Sequence, residues 1–336
     1  MIVKRVERFE DFIRLEEDWN TYLFSSDQNS VFLTHQWLST WWRHLSEDSE
    51  LHVLIFRDQE ERISGMAPLR IKEGELLFIA SHEVTDYCDF VTQKAGREDF
   101  FRAFLESLKK DYSELTRCEF INIKETSSTL LHIPKLASDY GFTCSQVESE
   151  VAPVLDLPSS YDAYISGLER KNRHELRRKM RKIKSLGGLE IRKSTESKEL
   201  IAAVDSFIDL HKASSLEKKK FWKRDGMDDF FREIVYRFAL QGWAELNCLL
   251  LKDSLVAALL NFTYQQEVLF YNIAYKPDFA VYSPGFYLFN SSIREAIMAK
   301  KIRADFLRGR EKYKYDFGSK ECRIYNLILT PGVSRT

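Results

Sequence analysis

The segment Tyr271–Ala299, YNIAYKPDFAVYSPGFYLFNSSIREAIMA, sets Ser283, Pro284 and Gly285 between an apolar run ending near Ala274 and an amphipathic stretch. Proline in a first helical turn, with glycine beside it, leaves backbone N–H groups pointing out of the helix end. The helix dipole favours an anion at that place. Such a loop is suited to hold a pyrophosphate, and the same residues also make an ordinary strand-to-helix turn. A second feature is Glu169–Lys184, where Arg170, Lys171, Arg173, Arg177, Arg178, Lys179, Arg181, Lys182 and Lys184 face only Glu169 and Glu175, a balance of +7. Leu168, Leu176, Met180 and Ile183 keep an apolar stripe, which predicts a docked helix with a cationic outer face. That face suits a tRNA, an anionic glycan or an anionic lipid surface, and equally a solvated charged helix. Trp37, Trp41 and Trp42 crowd into six residues, as a stacking platform for a sugar or base, or as core.

The elements that must position these residues follow from composition and periodicity. At about 150 residues per domain, 336 residues make roughly two domains. With 44% hydrophobic and 30% charged residues the chain is globular, and fifty basic against fifty-one acidic side chains exclude a chain-wide polyelectrolyte role. No segment approaches the ~18 apolar residues of a membrane-spanning helix. The start, MIVKRVERFEDF, has charges where a secretion signal needs its apolar region. Cys88, Cys118, Cys144, Cys248 and Cys322 are scattered without C-x-x-C spacing. Reduced thiols, no metal site and a cytoplasmic location are the expectations.

Helices are predicted over Phe9–Phe24, from an N-cap at Thr34 through Leu45, over Glu98–Lys109 and over Ser127–Tyr140 with Gly141 as C-cap. Strands are predicted at Leu51–Phe56, Ile63–Ile71, Leu76–Ala80 and Cys118–Ile123, with Phe142–Leu157 extended up to Pro158. The second half repeats the order. Helices Tyr161–Ser185, Lys198–Ser215 and Asp228–Leu240 precede strands Ala244–Leu251, Leu255–Tyr264 and Val268–Ala274. Helix Pro284–Ala299 and strands Arg303–Leu307 and Ile324–Thr330 follow. The meanders LHVLIFRDQEERISGMAPLRIKEGELLFIA and AELNCLLLKDSLVAALLNFTYQQEVLFYNIA share element order and turn position. A duplicated α/β (α+β) domain accounts for this better than chance.

The meander, the S-P-G loop opening a helix and the closing DFLRGREKYKYDFGS together resemble the GNAT acyltransferase superfamily. More narrowly the chain resembles the double-domain acetyltransferases named for cellulose biosynthesis, the CelD/BcsL-like group. VFLTHQWLSTWW is similar to that group's N-terminal segment, GLERKNRHELRRKMRKI to its basic helix and HEVTDYCDF to its Asp/Tyr segment. One departure stands out: the usual phosphate loop, Q/R-x-x-G-x-G/A, is here Val281-Tyr282-Ser283-Pro284-Gly285-Phe286, with a single glycine. Such proteins are also similar to the Fem-type aminoacyltransferases.

The resemblance implies two tandem GNAT-like domains, 1–157 and 158–336, each a mixed, mostly antiparallel sheet flanked by helices, with one acyl-CoA site in the second. The pyrophosphate would lie on Tyr282, Ser283, Gly285, Phe286, Tyr287 and Leu288. Pantetheine would lie where the strand ending at Ala274 splays from its neighbour near Phe306, and the Ile273 N–H would polarise the thioester. Acyl transfer to an amine or hydroxyl needs a base and an acid. Candidates for these are Glu311, His211, Tyr313 and Asp86, with Tyr315 beside Tyr313. Asp89, Tyr87, Arg308 and Lys314 are candidates for acceptor or phosphate binding. His211 in FIDLHKASS and the Asp86/Asp89 pair also read as structural or solvated groups.

The expected activity is therefore acyl transfer from acetyl-CoA or another acyl-CoA to an amine or hydroxyl of a sugar or cell-envelope precursor, as in polysaccharide biosynthesis. The basic helix could also contact the CoA phosphates. Two other readings remain open. One is a Fem-like transferase using aminoacyl-tRNA, against which stands the absence of a long heptad-patterned insertion. The other is a non-catalytic binding protein on a degenerate GNAT fold.

Overall fold

The computed structural model describes residues 1–80, 83–111 and 115–332. His82, which opens the HEVTDYCDF segment, lies outside the described residues. The chain divides into two compact units, Met1–Glu150 with Arg323–Thr336, and Val151–Cys322. Both mix helices with largely antiparallel sheet, the fold class that the element order predicts.

In the first unit, β1 (Ile2–Val6), β2 (Glu50–Leu51), β3 (Val53–Arg57), β4 (Ile63–Ala67), β5 (Leu69–Lys72), β6 (Glu75–Phe78), β7 (Val91–Thr92) and β8 (Arg117–Lys124) form two groups. One sheet has the order β1-β3-β4-β7. In the other group the closing strand Lys320–Pro331 is followed by β8, β6, β5 and β2. The predicted strand Ile63–Ile71 is thus two strands in different sheets. Pro68 separates them, because it lacks the N–H that a continuous ladder needs. The predicted helix Phe9–Phe24 is likewise two, Phe9–Ile13 and Glu16–Phe24.

Thr34 caps helix His35–Leu45, its hydroxyl oxygen accepting from the Trp37 N–H at 3.3 Å. Gly141 ends the turn Ala137–Tyr140 at φ 85°, a conformation that glycine adopts at little cost. Trp37 and Trp41 are core: both are buried, and the Trp37 indole N–H donates to Thr85 Oγ1 at 2.9 Å. Around Phe90, the rings of Phe78, Phe104 and Phe120 lie 4.7–5.1 Å away, two of the three edge-on. Gly65 lets Phe100 sit against the sheet, since a Cβ there would come 2.1 Å from its ring.

The second unit carries β9 (Phe142–Asp156) by its end, then β10 (Leu189–Ser194), β11 (Ala244–Leu251), β12 (Ser254–Tyr264), β13 (Glu267–Tyr275) and β14 (Arg303–Asp305). Strand order is β10-β11-β12-β13-β14-β9. Lys252 and Asp253, with φ 48° and 64°, make the tight turn between β11 and β12. The predicted helix Tyr161–Ser185 breaks at Leu168 and Glu169, which are extended, into Tyr161–Gly167 and Arg170–Lys184. Strand β10 and the helices Leu216–Phe221 and Lys312–Tyr315 carry no strong periodic signal and appear only in the structure. Among the described residues no helix is long and apolar enough to cross a membrane, and none of the five cysteines forms a disulfide.

Candidate functional site

Two irregularities open one edge of β13. Its pairing with β12 shifts register after Leu260↔Asn272 to Asn261↔Phe270, so that Tyr271 bulges. Its parallel pairing with β14 covers only Glu267, Val268 and Leu269. From Phe270 onward the two strands have no ladder between them.

Backbone alternation fixes which groups face that open edge. The Lys276 N–H donates to Val256 O on β12 at 2.9 Å. Tyr275 therefore faces the other way, and its N–H donates to Ser214 Oγ at 3.1 Å while its carbonyl lies 3.0 Å from the same hydroxyl. Ile273, two residues earlier, presents its N–H and C=O to the same side. The Ile273 carbonyl accepts a hydrogen bond from Lys218 Nζ. The Ile273 N–H thus points along the open edge, where an oxyanion donor would have to be.

The loop that follows leads back to this edge. After the turn Pro277–Tyr282, Ser283 adopts φ 54° and the helix Pro284–Met298 begins. Pro284 has no N–H, and those of Gly285 and Phe286 have no acceptor inside the helix. The Tyr287 N–H is committed to Ser283 O at 3.2 Å, and Leu288 is buried in the core. The expected set of six phosphate-binding residues therefore narrows to the N–H groups of Gly285 and Phe286, with Tyr282 and Ser283 beside them. Gly285 brings the helix end onto β13: an added Cβ would lie 3.2 Å from Ile273 Cγ1. The Phe286 side chain is buried and stacked 4.1 Å from Phe317, so only its backbone is available.

The basic helix supplies charge here. Lys179 Nζ lies 3.9 Å over the Phe286 ring and Lys182 Nζ 5.8 Å over that of Tyr282. Leu176 and Ile183 anchor the helix in the core.

After β14, Leu307 at φ 59° and Gly309 at φ 117° turn the chain so that Glu311 folds back over Gly309. Lys314 is buried. Its ammonium donates to Leu307 O at 3.1 Å and Arg308 O at 2.6 Å and pairs with Glu311 at 3.0 Å. Lys314 is thereby a clamp on this turn, since its donors are spent inside the protein, and the expectation that it binds acceptor or phosphate is corrected. The Glu311 carboxylate remains largely exposed. Tyr313 stacks on Phe289 at 5.3 Å. Burial, then the nearby Glu311 carboxylate and Tyr275, raise its pKa, so its phenol stays protonated.

His211 is buried, with Nδ1 accepting from the Trp222 indole N–H at 2.8 Å. Burial first, then the Lys218 ammonium, push its pKa down to about 3 against a weaker opposing effect of Asn272. A nitrogen already holding a proton donor, on a ring this reluctant to ionise, is a poor general base.

Asp86, Tyr87 and Asp89 belong to the first unit. Tyr87 is buried beneath Lys124 Nζ, 3.7 Å from its ring centre. The buried Asp89 carboxylate accepts from Thr129 Oγ1 at 2.5 Å and from the Phe90 N–H at 2.9 Å. Burial raises its pKa to about 6 against these hydrogen bonds. Tyr87 and Asp89 are therefore structural residues of that unit, a correction to their expected role; Asp86 is half-buried beside them.

Two features were missed in the sequence. Ser214, which fills the Tyr275 groups, lies inside the predicted helix Lys198–Ser215 without any distinguishing pattern. Lys218 opens a Lys-Lys-Lys run that reads as surface charge. Beside them a cavity of about 680 Å³ is lined by Lys212, Ser214, Lys219, Trp222, Lys223 and Pro277, among others.

Residues 170–315 match the acetyltransferase (GNAT) domain model. No curated protein matches the sequence. Over 97% of each chain the structure is similar to that of FemX, with a TM-score of 0.64 at 12% identity. The C-terminal domain of a putative lysylphosphatidylglycerol synthetase from Agrobacterium fabrum is similar over 96% of this chain and 92% of that one, with a TM-score of 0.60 at 12% identity. A tandem GNAT protein from the clavulanic acid biosynthesis pathway is similar over 99% and 100%, with a TM-score of 0.55 at 10% identity. At such identities the likeness concerns the fold. Together the matches give a region, 170–315, that is similar to the GNAT domain, and a fold similar to that of a tandem GNAT protein.

Proposed function

We propose that the chain moves an acyl group from acyl-CoA, with acetyl-CoA the first candidate, to an amine or hydroxyl of a sugar or cell-envelope precursor. The work would be done in the cytoplasm, and one donor site would lie in the C-terminal half, 158–336, with 1–157 as its GNAT-like companion. The observation that carries this reading is the open edge of β13 beside the free N–H groups of Gly285 and Phe286. Those N–H groups, with Lys179 and Lys182 close by, would hold the pyrophosphate. The Ile273 N–H would polarise the thioester carbonyl and stabilise its oxyanion. Glu311, exposed above the turn, would accept the acceptor's proton. Tyr313, held protonated, would supply one to the departing thiolate. Arg308 and the lysines of the neighbouring cavity suit an acceptor that carries a carboxylate or phosphate. The CelD/BcsL-like resemblance is consistent with a glycan acceptor.

Thiol release from acetyl-CoA in the presence of amino sugars and nucleotide sugars tests this reading. Glu311→Gln and Tyr313→Phe should each slow turnover by about a hundredfold, the scale of a lost general base or acid. Unchanged rates in both variants would sink the assignment of roles. A second reading, transfer from aminoacyl-tRNA, draws on the cationic outer face of Arg170–Lys184. It requires tRNA binding that weakens steeply with salt.

A further inference from the structure

Lys218 differs from the other lysines of its run. Ser215 caps the short helix Leu216–Phe221 through the Lys218 N–H, and the helix directs this one ammonium inward while Lys219 and Lys220 stay exposed. It donates to the Ile273 carbonyl, and no carboxylate pairs with it among the described residues. The carbonyl it touches and the N–H that would hold the thioester oxygen belong to the same residue and face the same edge. A donor placed by that N–H would put its reactive carbon next to Lys218 Nζ.

We propose that Lys218 is itself an acyl acceptor, so that the protein acylates this side chain from bound acyl-CoA. The step rests on the donor reading above. The neutral amine attacks the thioester carbonyl, a C–N bond forms and the C–S bond breaks. The nitrogen gives up a proton and CoA leaves as the free thiol. Burial supports the step by lowering the pKa of Lys218 to about 8. The neutral fraction at pH 7 is then roughly a few hundredfold above that of an exposed lysine. The groups facing Nζ do not supply a counter-charge: His211 from the preceding helix is neutral, and Tyr275 of β13 presents its ring at 6.0 Å. The product amide would place the acyl group on the open edge of β13, against Ile273. Acylated protein should therefore bind fresh donor poorly, which makes the modification a brake fed by donor abundance.

The test incubates the purified full chain with acetyl-CoA across pH 6–9, maps acetyl-lysine by mass spectrometry and records melting with CoA in parallel. The inference expects acetylation at Lys218 well ahead of Lys219 and Lys220. The rate should saturate with acetyl-CoA, rise through pH 8 and fall when free CoA competes. Lys218→Arg should remove this site while keeping the melting shift with CoA. If CoA raises the melting temperature but Lys218 is modified no faster than its neighbours, the inference is overturned and the donor reading stands. If CoA causes no shift, the donor reading fails and takes the inference with it.

Discussion

At the scale of single residues, His211 shows how burial changes the role that a residue type suggests. A free imidazole takes a proton near pH 6.5, whereas folded His211 resists it down to about 3. Between those values the unfolded chain binds the proton and the native protein does not, so stability is intact above the upper value and falls as the pH is lowered. At pH 5 the contribution lost is about 2 kcal/mol. His211→Gln can still accept from the Trp222 indole without titrating. Denaturant unfolding at pH 7 and pH 5 should show wild type losing about that much more than the variant; equal losses would mean that His211 is not buried in its neutral form. Little of this was legible beforehand. A histidine on a helix face looks the same in sequence whether its nitrogens meet water or an indole, and Lys218 was hidden by its two lysine neighbours. Glu311 and Tyr313 became candidates because the closing segment resembles a family motif, and their catalytic roles are part of the proposal. The clamp that Lys314 makes beneath them depends on where the turn folds.

At the scale of elements, local signals survived and long-range ones did not. The Thr34 cap, the Gly141 terminus and the Lys252-Asp253 turn are decided by adjacent residues, and the structure bears them out. The assignment of β4 and β5 to different sheets, the Tyr271 bulge and the short β13–β14 pairing are decided by partners distant in sequence. Two glycines test the packing of these elements. At Gly65 a methyl group would overlap the Phe100 ring, so Gly65→Ala should cost about 1–3 kcal/mol in denaturant unfolding. A neutral result would show that Phe100 is free to move aside. At Gly285 the contact with Ile273 is tight but not overlapping, and alanine favours the helix. Gly285→Ala should leave the free protein's stability nearly unchanged while weakening CoA binding, because the two free N–H groups are pushed off the β13 edge. Titration of CoA into both proteins reads this directly, and equal affinities would remove Gly285 from the site.

At the scale of the whole molecule, a chain of net charge −1 concentrates +7 on one helix beside the loop that opens Pro284–Met298. That asymmetry and the open β13 edge lie within or beside the region 170–315 that matches the GNAT domain model, and under the proposed function they would serve an anionic co-substrate whose reactive end reaches Ile273. The tandem fold was legible from the repeated order of helices and meander. The proposed placement of the donor site in the second half rests on one proline and one glycine, of which Gly285 is where the helix packs on Ile273 of β13. The most direct test is a melting-temperature series with acetyl-CoA, longer acyl-CoAs, free CoA and ATP at one protein concentration. A ligand at a hundred times its dissociation constant adds about 2.7 kcal/mol, a shift of several degrees for units of this size. The account predicts that shift with the CoA compounds and none with ATP. A flat series across all the CoA compounds would contradict it.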